Sequence, residues 1–319
     1  MQKFGQIIIR LRTILILIAL AVVFTLLKPI FLHPTNLLNM MKRMSYVAIV
    51  AYGMTFIITL GGLDLSGGSI AALVGVTLAY MLNKGVALVI ALPAVIVLAV
   101  IGGLINGLIS VKGKIAPFLV TLATMNIYRG IALTMTEGRT VSIKIPGYAG
   151  FFGNGTVFGV IPNPLIIMAV VLLLSWFLYK KTKFGFYCRC IGGNEEAARV
   201  AGIPVDRIKV IAYTFNAMLA CISGLILAAL MNAGIPSIGA DLSLDAISAV
   251  VLGGTAIAGG VGTIFGTVGG TFIMAILSTG LSLLGAGTEV QILVKGGVII
   301  VAVLMDNALK SRQREIAAK

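Results

Sequence analysis

The feature that most constrains this chain is the recurrence of apolar runs close to twenty residues long, separated by short polar breaks. A helix needs about 20 such residues to cross the hydrocarbon of a bilayer. Composition points the same way. Hydrophobic residues make up 59% of the 319 and charged residues only 11%, against about a quarter charged in a soluble domain, and the mean hydropathy is +1.10. A β-barrel would instead read as short segments of alternating polarity, which the sequence lacks. The expected fold is an all-α polytopic membrane protein.

Apolar runs read against polar breaks give about ten spans. They fall near 10–28, 44–60, 68–83, 86–110, 117–136, 164–180, 209–230, 245–259, 264–284 and 288–306. The N-terminal run continues to Leu27 without a small-residue cleavage site, so it reads as a retained first span. Charge sets the orientation. With the N-terminus inside, the cytoplasmic segments collect Lys3, Arg10, Arg12, Lys112, Lys114, Lys180, Lys181, Lys183, Arg189, Arg199, Arg207, Lys209, Lys310, Arg312, Arg314 and Lys319, out of 24 basic residues. Both termini are therefore expected in the cytoplasm. The same asymmetry accounts for the net charge of +14, without nucleic acid as a partner. Three cysteines are too few for a disulfide framework, and reduced thiols are expected.

Residues 1–319 read as a single transmembrane domain with two hydrophilic loops, an outer one at about 137–163 and a cytoplasmic one at about 181–208. The segment from Phe31 to Arg43 is amphipathic and is expected to lie along the outer interface. "GGLDLSGG" (Gly61 to Gly68) and "GGTAIAGG" (Gly253 to Gly260) share the form GG-x4-GG. Glycine costs about 1 kcal/mol against alanine inside a helix, so both stretches should break one. Paired breaks mark a transporter's central site; close helix packing through small residues is the competing reading.

Polar residues within apolar runs are the pathway candidates: Asp64, Ser66, Asn106, Thr121, Thr124, Asn126, Asp245 and Thr255. Asp64 and Ser66 fit a helix start as well as a substrate contact. Asp245 is expected to cap the eighth span and Asp241 to face outer solvent. Thr121, Thr124 and Tyr128 share a helix face, which serves either a hydroxyl-lined path or bonding between helices. Arg129 and Lys295 are expected to pair or snorkel. The chain has no H-E-x-x-H, G-x-S-x-G or G-x4-G-K-[ST] pattern, so it has no sign of catalysis and no means of cradling ATP itself.

The polar island "CRCIGGNEEAARVAGIPVDRIK" (Cys188 to Lys209) stands out against this background. Asn194 should cap a short helix carrying Glu195 and Glu196 in its first turn, stopped by Gly202 and Pro204. Glu195 and Arg199 are expected to face outward, with Ala197, Ala198 and Val200 available for burial. A docking surface and a solvated loop both remain open on this pattern alone.

Several long motifs occur in one order: "AYGMTFIITLGGLDLSGGSIAAL" (Ala51 to Leu73), "PFLVTLATMNIYRGIAL" (Pro117 to Leu133), the island from Thr182 to Lys209, "LDAISAVVLGGTAIAGGVGTIFGT" (Leu244 to Thr267) and "GLSLLGAGTEVQILVKGGVIIVAVLMDN" (Gly280 to Asn307). In these the sequence resembles the permease subunits of ATP-binding-cassette importers for monosaccharides, of the ribose type. Gly67 departs from that family, standing where valine is usual, and Glu196 to Gly202 matches the E-A-A-x3-G loop of the wider importer superfamily but lacks its downstream Ile-x-Leu-Pro.

The resemblance implies a non-catalytic permease, one of two identical membrane subunits in a bacterial inner membrane. It would import a monosaccharide, ribose or a related sugar. The implied partners are an ATPase subunit with a Walker A motif, which binds the ATP, and a periplasmic or extracellular sugar-binding protein. No cofactor is implied for the chain itself. The resemblance also makes the island a coupling helix seated on the ATPase, through Gly192, Gly193, Asn194, Glu195, Glu196, Ala197, Ala198, Arg199 and Gly202. An ion-coupled secondary sugar transporter is the alternative.

Overall fold

The computed structural model describes residues 2–145, 147–298 and 300. They form α1 (Gln2–Leu27), α2 (Pro34–Thr59), α3 (Gly67–Asn83), α4 (Leu88–Lys112), α5 (Pro117–Thr136), α6 (Asn163–Lys181), α7 (Lys183–Gly193), α8 (Glu195–Val200), α9 (Val205–Met231), α10 (Leu242–Leu252), α11 (Ile264–Leu283) and α12 (288–298). The tail residues Lys310, Arg312, Arg314 and Lys319, and the end of the run expected at 288–306, lie outside the described residues, as do the side chains of Lys3, Arg10 and Arg12. Among the described residues α4, α5, α6, α9 and α11 are each long and apolar enough to cross a membrane.

The core is built on α2 and α9. Every residue of α2 from Ala48 to Thr59 is buried, and α9 packs against α2, α3 and α4. In lipid no hydrophobic effect pulls helices together, so close packing of small residues does it. A Cβ on Gly103 of α4 would sit 2.6 Å from the Thr214 Cα of α9, and one on Gly107 would sit 2.7 Å from the Val210 Cα. At one end of the bundle Phe56 of α2 stacks on Phe184 of α7 at 5.1 Å. It also meets Tyr179 of α6 and Phe215 of α9 edge-on, each at 5.3 Å.

The structure corrects three expectations. Phe31 to Arg43 is not a separate interfacial helix. A short 3-10 turn covers Pro29–Leu32, and Pro34, whose fixed φ suits a first helical turn, opens a helix that runs unbroken to Thr59. The run expected at 245–259 is not one helix either, because α10 stops at Leu252 and residues 253–263 are non-helical. Finally, the island holds two helices rather than one, since α7 precedes α8.

Two of the helices are fractional. α3 has 17 residues and α10 has 11, which at 1.5 Å per residue is roughly 26 and 17 Å. Non-helical segments lead into both, 60–66 before α3 and 232–241 before α10. The second runs along α3: a Cβ on Gly234 would lie 2.8 Å from the Val76 Cα, and one on Gly68 would overlap the Gly239 carbonyl oxygen. Ala233–Gly234 also pairs antiparallel with Val141–Ser142. The N-termini of α3 and α10 meet, where Ser243 Oγ donates to the Leu65 carbonyl at 3.0 Å and accepts the Gly68 N–H at 3.1 Å. Both GG-x4-GG stretches break helices as expected. The partner of the 60–83 break, however, is the unmarked stretch 232–252, and "GGTAIAGG" is the turn that follows it.

Candidate functional site

Asp64 lies on the segment leading into α3, fully buried. Its Oδ1 accepts the Ser66 N–H at 2.9 Å and the Ser66 hydroxyl at 2.7 Å, and its Oδ2 accepts Asn216 Nδ2 of α9 at 2.9 Å. Ser66 Oγ in turn accepts Asn106 Nδ2 of α4 at 2.8 Å. From α5, Thr121 Oγ1 reaches the Leu63 carbonyl at 3.3 Å, Thr124 bonds Thr121 at 3.3 Å, and Tyr128 donates to Gly102 at 2.9 Å. The shared face of α5 therefore bonds helices together. Backbone groups in a break have no helical partner and no water in lipid, so side chains must satisfy them. Asn126 points away from this seam, exposed, and bonds only the Leu122 carbonyl of its own helix.

Among the described residues Arg129 makes no ion pair. Its guanidinium donates to the carbonyls of Pro236 and Ile238, the latter at 2.8 Å, and so pins the segment leading into α10. Thr255 is buried in the turn after α10, and its hydroxyl has no hydrogen-bond partner among the described residues.

Asp245 does not cap α10. It lies in that helix's first turn, which begins at Leu242, and pairs with Lys295 of α12 at 2.8 Å, the two side chains 19% and 16% exposed. Asp241, at the cap position, is half-buried and makes no capping bond. The Asp245–Lys295 pair lines a cavity of about 190 Å³ together with Arg43, Tyr46, Ser278 and Gln291. The Arg43 guanidinium makes no hydrogen bond or ion pair among the described residues, so the lining offers a free cation beside a paired one. A second cavity of about 220 Å³ is apolar and lies between α1, α11 and the 253–263 turn.

On the island, Asn194 Oδ1 accepts the Ala197 N–H at 2.9 Å, as expected of a cap. Gly202, at φ +80°, supplies the left-handed stop. There the Gly202 and Ile203 N–H groups close onto the Arg199 and Ala198 carbonyls at 3.1 and 3.0 Å. The orientation of α8 corrects the expectation. Only Ala198 turns inward, while Val200 is 90% exposed and Ala197 and Glu196 are also exposed. Glu195 and Arg199 are bound within the island: Arg199 meets Asp206 at 2.8 Å and Glu195 at 3.5 Å, and Lys209 meets Glu195 at 2.7 Å. The Asp206 hydrogen bond, with its charge and that of Glu195, holds the Arg199 guanidinium above its usual pKa. Glu196 and Val200, one turn apart, form the outward face. Gly192 and Gly193 end α7 against residues 59–61 and 259–260.

The residues that sequence reasoning missed are Asn216, Ser243 and Arg43. Asn216 had a signal, as a buried amide inside the apolar helix Val205–Met231.

An all-α bundle with five membrane-length helices, two fractional helices meeting at a polar seam and a folded polar island at one end is a multi-pass membrane permease. Residues 36–303 match the family described as the permease component of branched-chain amino acid transport systems, and the chain belongs to that family. It is non-catalytic, one component of an ATP-binding-cassette importer. Among its relatives, the ribose import permease of Bacillus subtilis is 42% identical over 96% of this chain and 93% of that protein. The ribose import permease of Escherichia coli K12 is 40% identical over 92% of each. The L-arabinose transport system permease of the same organism is 34% identical over 98% of this chain and 95% of that one. No solved structure matches the chain. None of these matches supports the ion-coupled alternative.

Proposed function

We propose that this protein is the translocating subunit of a bacterial ATP-driven importer for a monosaccharide, ribose or a closely related pentose. It crosses the inner membrane about ten times as one domain, with both termini cytoplasmic, as the distribution of Lys and Arg favours. Two copies form the pathway. An ATPase subunit with its own Walker A motif binds the ATP inside, and a sugar-binding protein delivers cargo outside.

The observation that carries this reading is the outward face of α8. An uncovered valine beside a glutamate with no partner among the described residues, on a helix capped at both ends, supports a docking role for Asn194 to Gly202, with Gly192 and Gly193 seating the base of the island on the bundle. Within that stretch Glu196, Ala197 and Val200 touch the ATPase, while Asn194, Glu195, Ala198, Arg199 and Gly202 hold the helix in shape. For the pathway, the polar cavity at Asp245 is favoured over the Asp64 seam. It offers space, a carboxylate and cations to hydroxyl groups, whereas Asp64, Ser66, Asn106, Thr121 and Thr124 are occupied with one another.

The test is co-purification and reconstitution. Glu196→Arg combined with Val200→Asp should abolish capture of the ATPase subunit and ATP-driven sugar uptake, with the bundle still folded. Normal capture by that variant would refute the docking role. Uptake of a panel of pentoses and hexoses by the wild type identifies the cargo.

A further inference from the structure

The end of α7 reaches further into the bundle than docking requires. A Cβ on Gly192 would overlap the carbonyl oxygen of Thr59, the last residue of α2, and crowd the backbone nitrogen of Gly260. One on Gly259 would lie 2.8 Å from the Gly192 carbonyl oxygen and 3.1 Å from the Gly61 Cα. One on Gly260 would lie 3.1 Å from the Gly193 Cα. The Gly260 N–H donates to the Thr59 carbonyl at 2.9 Å. Three backbones from distant parts of the chain therefore touch with no side chain between them.

Each of these backbones adjoins a fractional helix or α8. Residues 60–66 lead into α3, 253–263 join α10 to α11, and α7 is continuous with α8 through Asn194. The block on the α7 side is stiff. Arg189 donates to the Tyr179 carbonyl at 2.7 Å, Tyr179 meets the Thr59 hydroxyl at 3.2 Å, and Phe56 stacks on Phe184. Side chains can yield by changing rotamer, but touching backbones cannot slide past each other without moving the elements that carry them.

We propose that Gly192 is the positioning residue that passes movement of α8 to both non-helical turns, 60–66 and 253–263, and so ties ATPase motion to opening of the α3–α10 seam. This rests on the docking role proposed for α8. Spatial closeness alone does not establish coupling, so the test measures coupling directly.

The experiment uses the permease assembled with its ATPase subunit in proteoliposomes, with sugar-loaded binding protein supplied outside. Gly192→Ala is compared with Gly193→Ala, a neighbour whose Cβ would meet nothing within 4 Å. Gly192→Ala should keep ATPase capture and basal ATP hydrolysis, while sugar moved per ATP falls by roughly tenfold, within the range of coupling between linked sites. Gly193→Ala should match the wild type in all three readouts. An unchanged transport-to-hydrolysis ratio in Gly192→Ala overturns the proposal. Loss of ATPase capture in Gly192→Ala alone overturns it as well, by making the glycine part of docking. Failure of the wild type to capture any ATPase sinks the docking reading instead.

Discussion

Replacing Asp64 separates a structural carboxylate from one that handles cargo. In Asp64→Ala, three donors lose their acceptor: the Ser66 N–H, the Ser66 hydroxyl and Asn216 Nδ2. At about 1 kcal/mol for each buried hydrogen bond the loss is about 3 kcal/mol. Only the Asn216 bond joins distant elements, and such bonds in lipid average nearer 0.6 kcal/mol because the separated helices find other partners, which lowers the figure to about 2.5 kcal/mol. Asp64→Asn behaves differently. Oδ1 still accepts both Ser66 groups, and only the contact with Asn216 is lost, since two amide nitrogens would face each other. Asn216 Oδ1 is buried without a partner, so a flip of that amide restores a donor–acceptor pair. Asp64→Asn should therefore cost less than about 1 kcal/mol. The assay is thermal unfolding of the purified permease paired with ATP-driven uptake. Asp64→Ala should lower the midpoint by about 4 °C, while Asp64→Asn should unfold and transport nearly as the wild type does. A normally stable Asp64→Asn protein with no uptake would refute the structural role and make the carboxylate part of the transport chemistry.

Other consequences can be measured alongside. Asp245→Ala and Lys295→Ala should each destabilise the fold by more than the double variant does, because either alone strands a charge in a mostly closed site; additive losses in a double-mutant cycle would exclude the pair. Arg199→Ala removes only exposed contacts and should leave the unfolding midpoint nearly unchanged, with ATPase capture retained, whereas Val200→Asp should abolish capture. Gly103→Leu should prevent α4 from seating on α9 and cut the yield of folded protein sharply, as seen by size-exclusion profile, while Gly130→Ala, where a Cβ meets nothing within 4 Å, should be silent.

Much of the bundle was legible because a membrane leaves few options. Apolar length and proline placement located α4, α5, α6, α9 and α11 to within a few residues, and the cap and stop of α8 followed from Asn194 and Gly202. The misreadings have local causes. α7 was missed because Gly192 and Gly193 look like a break, although tertiary contact needs them there as a helix end. Val200 was assigned to the interior because its apolar character was weighed without the ion network that turns Glu195 and Arg199 toward α9. The partner of the first break went unnoticed because 232–241 is not rich in paired glycines; it is held by Arg129, whose reach no local pattern reveals. Asp245 looked like a cap because its partner, Lys295, is fifty positions away.

The Ser243 hydroxyl closes the seam between α3 and α10 by donating to the Leu65 carbonyl and accepting the Gly68 N–H, and water can replace both bonds. Parting the two fractional helices trades protein partners for solvent at little net cost, provided solvent can enter with the movement. If the seam parts during transport as proposed, such a closure would yield to a modest push, whereas a tight greasy plug or a buried ion pair would resist being wetted.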